Sequence, residues 1–217
     1  MYMLPHRHLA TLTQLCELPP LPDDADWNGL DIAYLDRDGV LNIGSENYIN
    51  SPEELIVLDN TAEAVATIRA AGFRICIVTN QSPVGRGHWD HEKLEEINST
   101  LQSELLSQHP DAHLDLILYS PYAPWENAWS RKGKPGMLQV GRQILSATHE
   151  GIELTEFDYG PSYTPVNEGN SFMVGDRDAD MEAGLSFGIR TFRCNPDVGL
   201  HDVLSRVLIY SDRGDNI

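Results

Sequence analysis

Five short apolar runs constrain the fold of this chain more than any other feature. They are Asp31–Leu35, Phe73–Thr79, Leu114–Tyr119, Ser171–Val174 and Ile189–Arg193. Each is too short for a helix and rich in branched or aromatic residues, the pattern of a buried strand. Segments with helical periodicity lie between them. Ala64, Val65, Ile68 and Ala71 share one face behind Asn60 and Glu63, which have capping-box spacing, and Gly72 ends that helix. Asp90 is placed to cap a long helix whose stripe is Leu94, Ile97, Leu101 and Leu105. Helices are also expected from Met137 to about Ala147, over Ala179–Phe187 with Gly188 as its stop, and over 202–209. Strands alternating with helices imply βαβ crossovers. The expected fold is therefore α/β: a Rossmann-like three-layer αβα sandwich around a mostly parallel, five-stranded sheet.

Residues 1–30 do not share this pattern. Leu9, Leu12 and Leu15 have helical spacing, but Pro19, Pro20 and Pro22 interrupt it and Asp23-Asp24-Ala25-Asp26 follows. The expectation is an N-terminal arm lying on a domain of residues 31–217, or else an oligomer contact.

In a parallel sheet the carboxyl ends of the strands share one edge, and ligands bind there. The first strand runs into Asp36-Arg37-Asp38-Gly39-Val40. Two carboxylates at the end of a buried strand cost free energy unless their charge is used; the plain alternative is an exposed Asp-Gly turn. The other strand ends decide between the two. The second ends in Thr79-Asn80-Gln81-Ser82, and the fourth runs into Gly175-Asp176-Arg177-Asp178-Ala179-Asp180. The loop after the third closes with Arg131-Lys132-Gly133-Lys134-Pro135-Gly136. Acidic, hydroxylic and basic groups on one edge match phosphate-monoester chemistry with a divalent cation.

Mg²⁺ prefers a few oxygen ligands and keeps several waters. Asp36, Asp176 and a backbone or side-chain oxygen of Asp38 can supply them. The cation lets a carboxylate approach an anionic phosphoryl group, so Asp36 can attack phosphorus and form an aspartyl-phosphate. Asp38 can protonate the leaving oxygen and then take a proton from water. Thr79 offers a hydroxyl, and Lys132 or Lys134 a positive charge. Only three residues are lysine, at 93, 132 and 134, so two of them fall in this one stretch.

The chain carries 33 acidic and 15 basic residues, a net charge of −18. That charge disfavours a nucleic-acid or anionic-membrane partner and leaves a small phosphorylated metabolite as the expected one. Cys16, Cys76 and Cys194 have neither metal-ligand spacing nor a disulfide framework, and Cys76 and Cys194 read as buried thiols. No run reaches membrane-spanning length, and the N-terminus has no continuous apolar signal core. A cytoplasmic protein, monomeric or a small homo-oligomer, is the expectation. His88 and His91 read as a solvated helix start, since two ligands do not make a metal site. Trp27 and Trp89 read as packing residues.

These motifs resemble the haloacid dehalogenase (HAD) superfamily, in the phosphatase branch of its subfamily IIIA. The finer resemblance is to the histidinol-phosphate and D-glycero-D-manno-heptose 1,7-bisphosphate phosphatases. It rests on Leu35-Asp36-Arg37-Asp38-Gly39-Val40, Val78-Thr79-Asn80-Gln81-Ser82, Gly85-Arg86-Gly87, Arg131-Lys132-Gly133-Lys134-Pro135-Gly136-Met137 and Met173-Val174-Gly175-Asp176-Arg177. The resemblance implies Asp36 as nucleophile, Asp38 as acid/base, Thr79 as the hydroxyl of the second motif, and Asp176 as metal ligand with Asp180 outside it. It implies Lys132 on the phosphoryl group and Arg131, Asn80, Gln81 and Arg177 lining the substrate. Ser45–Tyr48 falls where such enzymes touch substrate, which brings in Tyr48. A minimal cap is also implied.

Two stretches depart from the pattern. Those enzymes carry a zinc loop of three cysteines and a histidine before the Arg-Lys motif. Here Ser120–Ser130 has neither residue type, which excludes zinc there on ligand chemistry. Trp125 or Trp129 then packs the loop or walls the pocket. The polar 150–170 excursion has no counterpart. Two other readings stay open: a polynucleotide 3′-phosphatase, which shares the Thr-Asn-Gln and Lys-Pro motifs, and a non-catalytic phospho-acceptor, against which Asp38 argues. Among the neighbours, Arg86 either binds phosphate or holds its loop, and Arg37 is expected to point away from the site. Asp178 reads as a solvated acid and Lys134 as a secondary contact.

Overall fold

A computed structural model describes residues 3–22 and 27–216. The acidic stretch Asp23-Asp24-Ala25-Asp26 lies outside the described residues. The strands are β1 (His6–Arg7), β2 (Ile32–Leu35), β3 (Arg74–Asn80), β4 (Leu116–Ser120), β5 (Phe172–Gly175) and β6 (Arg190–Arg193). The helices are α1 (Thr61–Ala70), α2 (Ser82–Gly85), α3 (His91–Gln108), α4 (Gly136–Glu150), α5 (Asp178–Phe187) and α6 (Leu200–Val207). The sheet order is β1-β4-β3-β2-β5-β6. β2 to β6 pair in parallel, with Leu35 level with Ile77 and Val174.

The five expected strands are present, and a sixth corrects the count. His6–Arg7 pairs antiparallel with β4, His6 opposite Tyr119. A two-residue strand has no periodicity to read. The described residues of the arm form no α-helix: only a 3₁₀ turn at Leu12–Gln14, with Leu15 buried and Leu9 and Leu12 exposed. Arg7 holds that turn by donating to the Gln14 and Glu17 carbonyls.

The two sheet faces follow the alternation of β-strand side chains. Ala33 and Leu35 pack with α1, α3 and α6 through Val65, Ile68, Leu101 and Val203. Ile32 and Tyr34 face the other way, onto Val140 and Ile144 of α4 and Phe187 of α5. Leu154, Phe157, Tyr159 and Tyr163 of the excursion cover that second core, so the excursion is packed structure although it contains no helix or strand. Cys76 and Cys194 are buried, as is Trp27.

Asp90 caps α3 as expected, accepting from the Lys93 amide at 2.9 Å. The capping box at α1 does not form: Asn60 sits at φ +60, a left-handed conformation that asparagine tolerates, and its side chain makes no cap bond. Arg74 is buried at the amino end of β3. Its Nη1 lies 2.8 Å from Asp115, which also takes Arg69 at 2.5 Å and the Ile75 amide at 2.7 Å. This ion cluster ties α1 to the starts of β3 and β4 and lies at the edge opposite the carboxylate-rich strand ends.

Candidate active site

The β2 strand delivers Asp36 into a buried position, its amide bonded to Val174 O at 3.0 Å. The chain then turns sharply at Gly39, φ +80, where a Cβ would meet the Asp176 carboxyl carbon at 2.8 Å. Only glycine both adopts that conformation and leaves room for Asp176. At the end of β5, a Cβ on Gly175 would lie 2.1 Å from Asp180 Cβ. Asp180 stands in the first turn of α5 and accepts from the Arg177 amide at 3.1 Å. The result is a cluster: carboxylate oxygens of Asp36, Asp176 and Asp180 lie within 4.8 Å of one another.

Lys132 enters this cluster from the loop before α4. Its buried Nζ lies 2.5 Å from Asp36 Oδ1 and 2.6 Å from Asp180 Oδ1. Burial, opposed by Lys132 and reinforced by Asp180 and Asp38, pushes the Asp36 carboxyl up to about 7. Burial and the Asp180 charge likewise raise Asp176. Burial works against the Lys132 ammonium, but Asp180 and Asp36 outweigh it and raise its pKa. Three carboxylates against one ammonium leave negative charge uncompensated. The Asp176 Oδ1 atom is buried without a hydrogen-bond partner. An all-oxygen donor set with a spare buried lone pair suits a hard divalent cation. Among the described residues this is the one group of three or more side chains close enough to hold a metal ion.

Asp38 stands apart from that cluster. Its carboxylate accepts from Arg37 Nε at 3.2 Å and Nη2 at 3.0 Å, from Asn42 Nδ2 at 2.9 Å and from Gln81 Nε2 at 3.1 Å. Burial alone raises its pKa, but the Arg37 charge and these hydrogen bonds win and hold it below the ordinary carboxylate range. Arg37 therefore does not point away. It is buried against Asp38 and reaches Asn98 of α3 at 3.1 Å. Strand alternation misplaces it because the extended chain ends at Asp36.

Gln81 links two site groups, donating to Asp38 and to Thr79 Oγ1, the latter at 3.0 Å. Asn80 accepts from the Lys132 amide at 2.9 Å, which fixes the lysine's backbone. Beside these groups lies a cavity of about 520 Å³ lined by Asp38, Tyr48, Asn80, Gln81, Arg86, Arg131 and Arg177 among others. Arg131 donates to Tyr122 O at 3.0 Å. Burial and the neighbouring Arg86 charge hold its pKa below the ordinary value. Arg86 lies over the Trp125 ring, 5.0 Å from its centre. Arg177 is mostly exposed, 3.6 Å from Asp176. Tyr48 adopts φ +65, rare for a bulky side chain, and meets Trp89 edge-on.

Several neighbours sit elsewhere than expected. Lys134 is half-buried and bonds Asn127 O at 2.8 Å, so it braces its loop and lies outside the cluster. Asp178 is exposed but pairs with Arg193 at 2.5 Å. His91 is no solvated residue: it hydrogen-bonds the Tyr119 hydroxyl at 2.8 Å and stacks on His6 of the arm. Trp125 is 72% exposed, whereas Trp129 packs inward. Ser82–Gly87 contains a one-turn helix, α2. Asn42 and Asn98 carried no readable signal, because nothing in the sequence ties a lone Asn to a partner it meets only after the chain turns and packs.

No family model matches the chain. A D-glycero-beta-D-manno-heptose-1,7-bisphosphate 7-phosphatase of Pseudomonas aeruginosa is 35% identical over 165 residues, 76% of this chain and 78% of the relative. The chain belongs to this family of HAD-type phosphatases. The Escherichia coli K12 enzyme of the same name is 28% identical over 160 residues, 73% of this chain and 75% of its own. The fold agrees. The D,D-heptose 1,7-bisphosphate phosphatase of B. bronchiseptica, crystallised with magnesium and phosphate, superposes with a TM-score of 0.63 at 24% identity, over 82% of this chain and 98% of that one. As a HAD-type phosphatase the chain is an enzyme, a phosphoric monoester hydrolase. No helix among the described residues is long and apolar enough to cross a membrane.

Proposed function

We propose that this HAD-type phosphatase uses Mg²⁺, and no zinc, to release phosphate from a small sugar phosphate of the heptose-bisphosphate kind, through an aspartyl-phosphate on Asp36. The observation that carries this reading is the buried contact of Lys132 with Asp36 inside a cluster of three carboxylates, with Asp38 separately hydrogen-bonded beside it. Asp36 and Asp176 would hold the cation together with the Asp38 backbone carbonyl, because the Asp38 side chain is engaged by Arg37, Asn42 and Gln81. Bound there, the cation offsets the repulsion between carboxylate and phosphoryl group.

The chain's own residues divide the remaining work. A carboxylate oxygen of Asp36 attacks phosphorus, and the bond to the leaving alkoxide breaks. Lys132 and the Thr79 hydroxyl meet charge on the phosphoryl oxygens. Asp38 gives the leaving oxygen its proton, then takes one from the water that hydrolyses the acyl phosphate. At rest, Arg37 keeps Asp38 ionised; the arriving phosphate dianion raises its proton affinity and prepares it as an acid.

Arg86, Arg131 and Arg177 on one cavity, in a chain of net charge −18, support a substrate with a second anionic group. Tyr48, Asn80 and Gln81 line the same cavity and complete the proposed substrate contacts. The zinc-free reading rests on the 120–130 loop, which has no cysteine or histidine.

A panel containing heptose 1,7-bisphosphate, histidinol phosphate and a 3′-phosphorylated oligonucleotide tests the substrate. The expected result is Mg²⁺-dependent phosphate release, fastest from the bisphosphate. No release from any sugar phosphate, or preference for the oligonucleotide, sinks the proposal.

A further inference from the structure

Lys132 works only if an otherwise irregular loop holds it against Asp36. Between β4 and α4 the chain runs from Pro121 to Pro135 with one 3₁₀ turn, Pro124–Glu126, as its regular element. The base of the loop is tied down. Pro121 O accepts from the Gly85 amide at 3.1 Å, and Ser120 O from the Gln81 amide at 2.8 Å. The tip is open: Trp125 is 72% exposed. The segment just before Arg131 and Lys132 is fixed in another way, through the Trp129 indole.

Gln139 makes that connection. It lies on α4, facing inward and 3% exposed. Its Oε1 accepts from Trp129 Nε1 at 2.9 Å and from the Gly160 amide at 3.0 Å. Its Nε2 donates to Gly160 O at 3.1 Å. One carboxamide thus joins a helix, the loop and the 150–170 excursion, with both lone pairs of its oxygen used. Gly136 permits the approach: a Cβ there would lie 2.3 Å from Trp129 O. A neighbouring glutamine, Gln143, repeats the clasp one turn on, bonding Asp158 N and O at 2.9 Å each.

We infer that Gln139 is a positioning residue for the phosphatase reaction: through Trp129 it sets the loop that presents Arg131 and Lys132, and the 150–170 excursion serves as the other half of the lock. This rests on the role proposed for Lys132. Two residues separate Trp129 from Lys132, and the ammonium is held between two carboxylates in a buried site. A loop displaced by about 1 Å lifts that charge from the reacting oxygen, a loss of up to about 100-fold in rate.

The test uses the full chain with Mg²⁺ and p-nitrophenyl phosphate, alongside Lys132→Ala. Gln139→Leu should lower kcat about tenfold or more with much less change in KM, because the lysine acts on the transition state. The ¹⁵N indole signal of Trp129, identified through Trp129→Phe, should move in Gln139→Leu. Gln139→Glu keeps the acceptor oxygen and should restore part of kcat. If Gln139→Leu fails to fold, Trp129→Phe removes the indole donor while keeping an aromatic ring and should lower kcat in the same sense. A wild-type kcat in folded Gln139→Leu with a displaced Trp129 signal, or in folded Trp129→Phe, overturns the lock while a dead Lys132→Ala keeps the reaction reading intact. A wild-type protein with no turnover overturns both.

Discussion

Two buried ion clusters stand at opposite edges of the same sheet, and they are built on opposite principles. At the amino edge one carboxylate, Asp115, takes two guanidinium groups and a backbone amide. At the carboxyl edge two of three clustered carboxylates share one ammonium, the third, Asp176, meets only the exposed Arg177 at 3.6 Å, and Asp176 Oδ1 has no hydrogen-bond partner. The first is closed: each carboxylate oxygen has a donor, and the cluster joins α1, β3 and β4. The second is left short of positive charge and of donors, the condition a cation and a phosphoryl group would complete. Burial alone therefore does not separate structural from functional charges; the balance of donors against acceptors does.

The sharpest way to break this comparison is to neutralise one carboxylate in each cluster. Asp36→Asn should abolish turnover, a loss of at least about 1,000-fold, because the nucleophile is gone. The same change removes a charge from an over-acidic cluster, so without Mg²⁺ the variant should be more stable than wild type by about 1 kcal/mol. Steady-state kinetics and urea unfolding on one preparation read both effects; retained activity, or a clear loss of stability, would contradict the assignment. Asp115→Ala should do the reverse. It takes the shared carboxylate away from two buried guanidinium groups and should cost about 3–5 kcal/mol, while the protein that remains folded keeps its kcat. A stable Asp115→Ala would show that the amino-edge cluster is not closed in the sense argued.

The functional edge was far more legible in the sequence than the structural one. Asp36, Asp38, Thr79 and Asp176 lie at the ends of apolar runs, and a parallel sheet gathers whatever stands at its strand ends, so pattern alone brought them together; Lys132 closes a longer loop, and the family resemblance singled it out from Lys134. Asp115 also flanks a strand, but its partners Arg69 and Arg74 are recognisable only once helix and strand are packed. Arg37 was misread because alternation no longer applies once the chain turns at Gly39. Asn60 and Glu63 have the spacing of a capping box, yet the left-handed Asn60 backbone turns the side chain off the helix. The arm's strand is too short to carry a period. Gln139 illustrates the general limit: a single glutamine on a helix has no sequence signature, and its three bonds depend on two segments that meet only in the folded chain.

Mg²⁺ sharpens the contrast at smaller amplitude. A cation that binds the folded cluster and not the unfolded chain stabilises by about 2.7 kcal/mol at a concentration 100 times its dissociation constant. Melting followed against Mg²⁺ should show that rise in wild type, and little or none in Asp176→Asn, which loses a ligand oxygen. The rise should persist in Arg74→Lys, whose change lies at the other edge. An equal response in Asp176→Asn would remove the cation from the proposed cluster.

The smallest effect concerns the arm, whose half-buried His6 and His8 belong to neither cluster. Burial, helped by the His91 charge, pushes His6 down to about 4, and burial does the same for His8. His6 stacks against His91 and Tyr119, and His8 Nε2 lies 3.4 Å from Ser99 Oγ, so among these contacts no carboxylate stabilises a proton on either ring. Their unfolded value is near 6.5. Between that value and about 4 the unfolded arm binds more protons than the folded one, so its stability is complete above pH 6.5 and falls as the pH drops. Amide exchange at His8, whose N–H bonds Ile117 O at 3.0 Å, should accelerate relative to the β2 and β3 core as the pH is lowered from 7 to 5, after correction for intrinsic rates. His8→Phe, which cannot take up the proton, should flatten that dependence. An arm that instead tightens on acidification would mean its histidines accept protons in the folded state, and that the β1 edge is held by charge as the two clusters are.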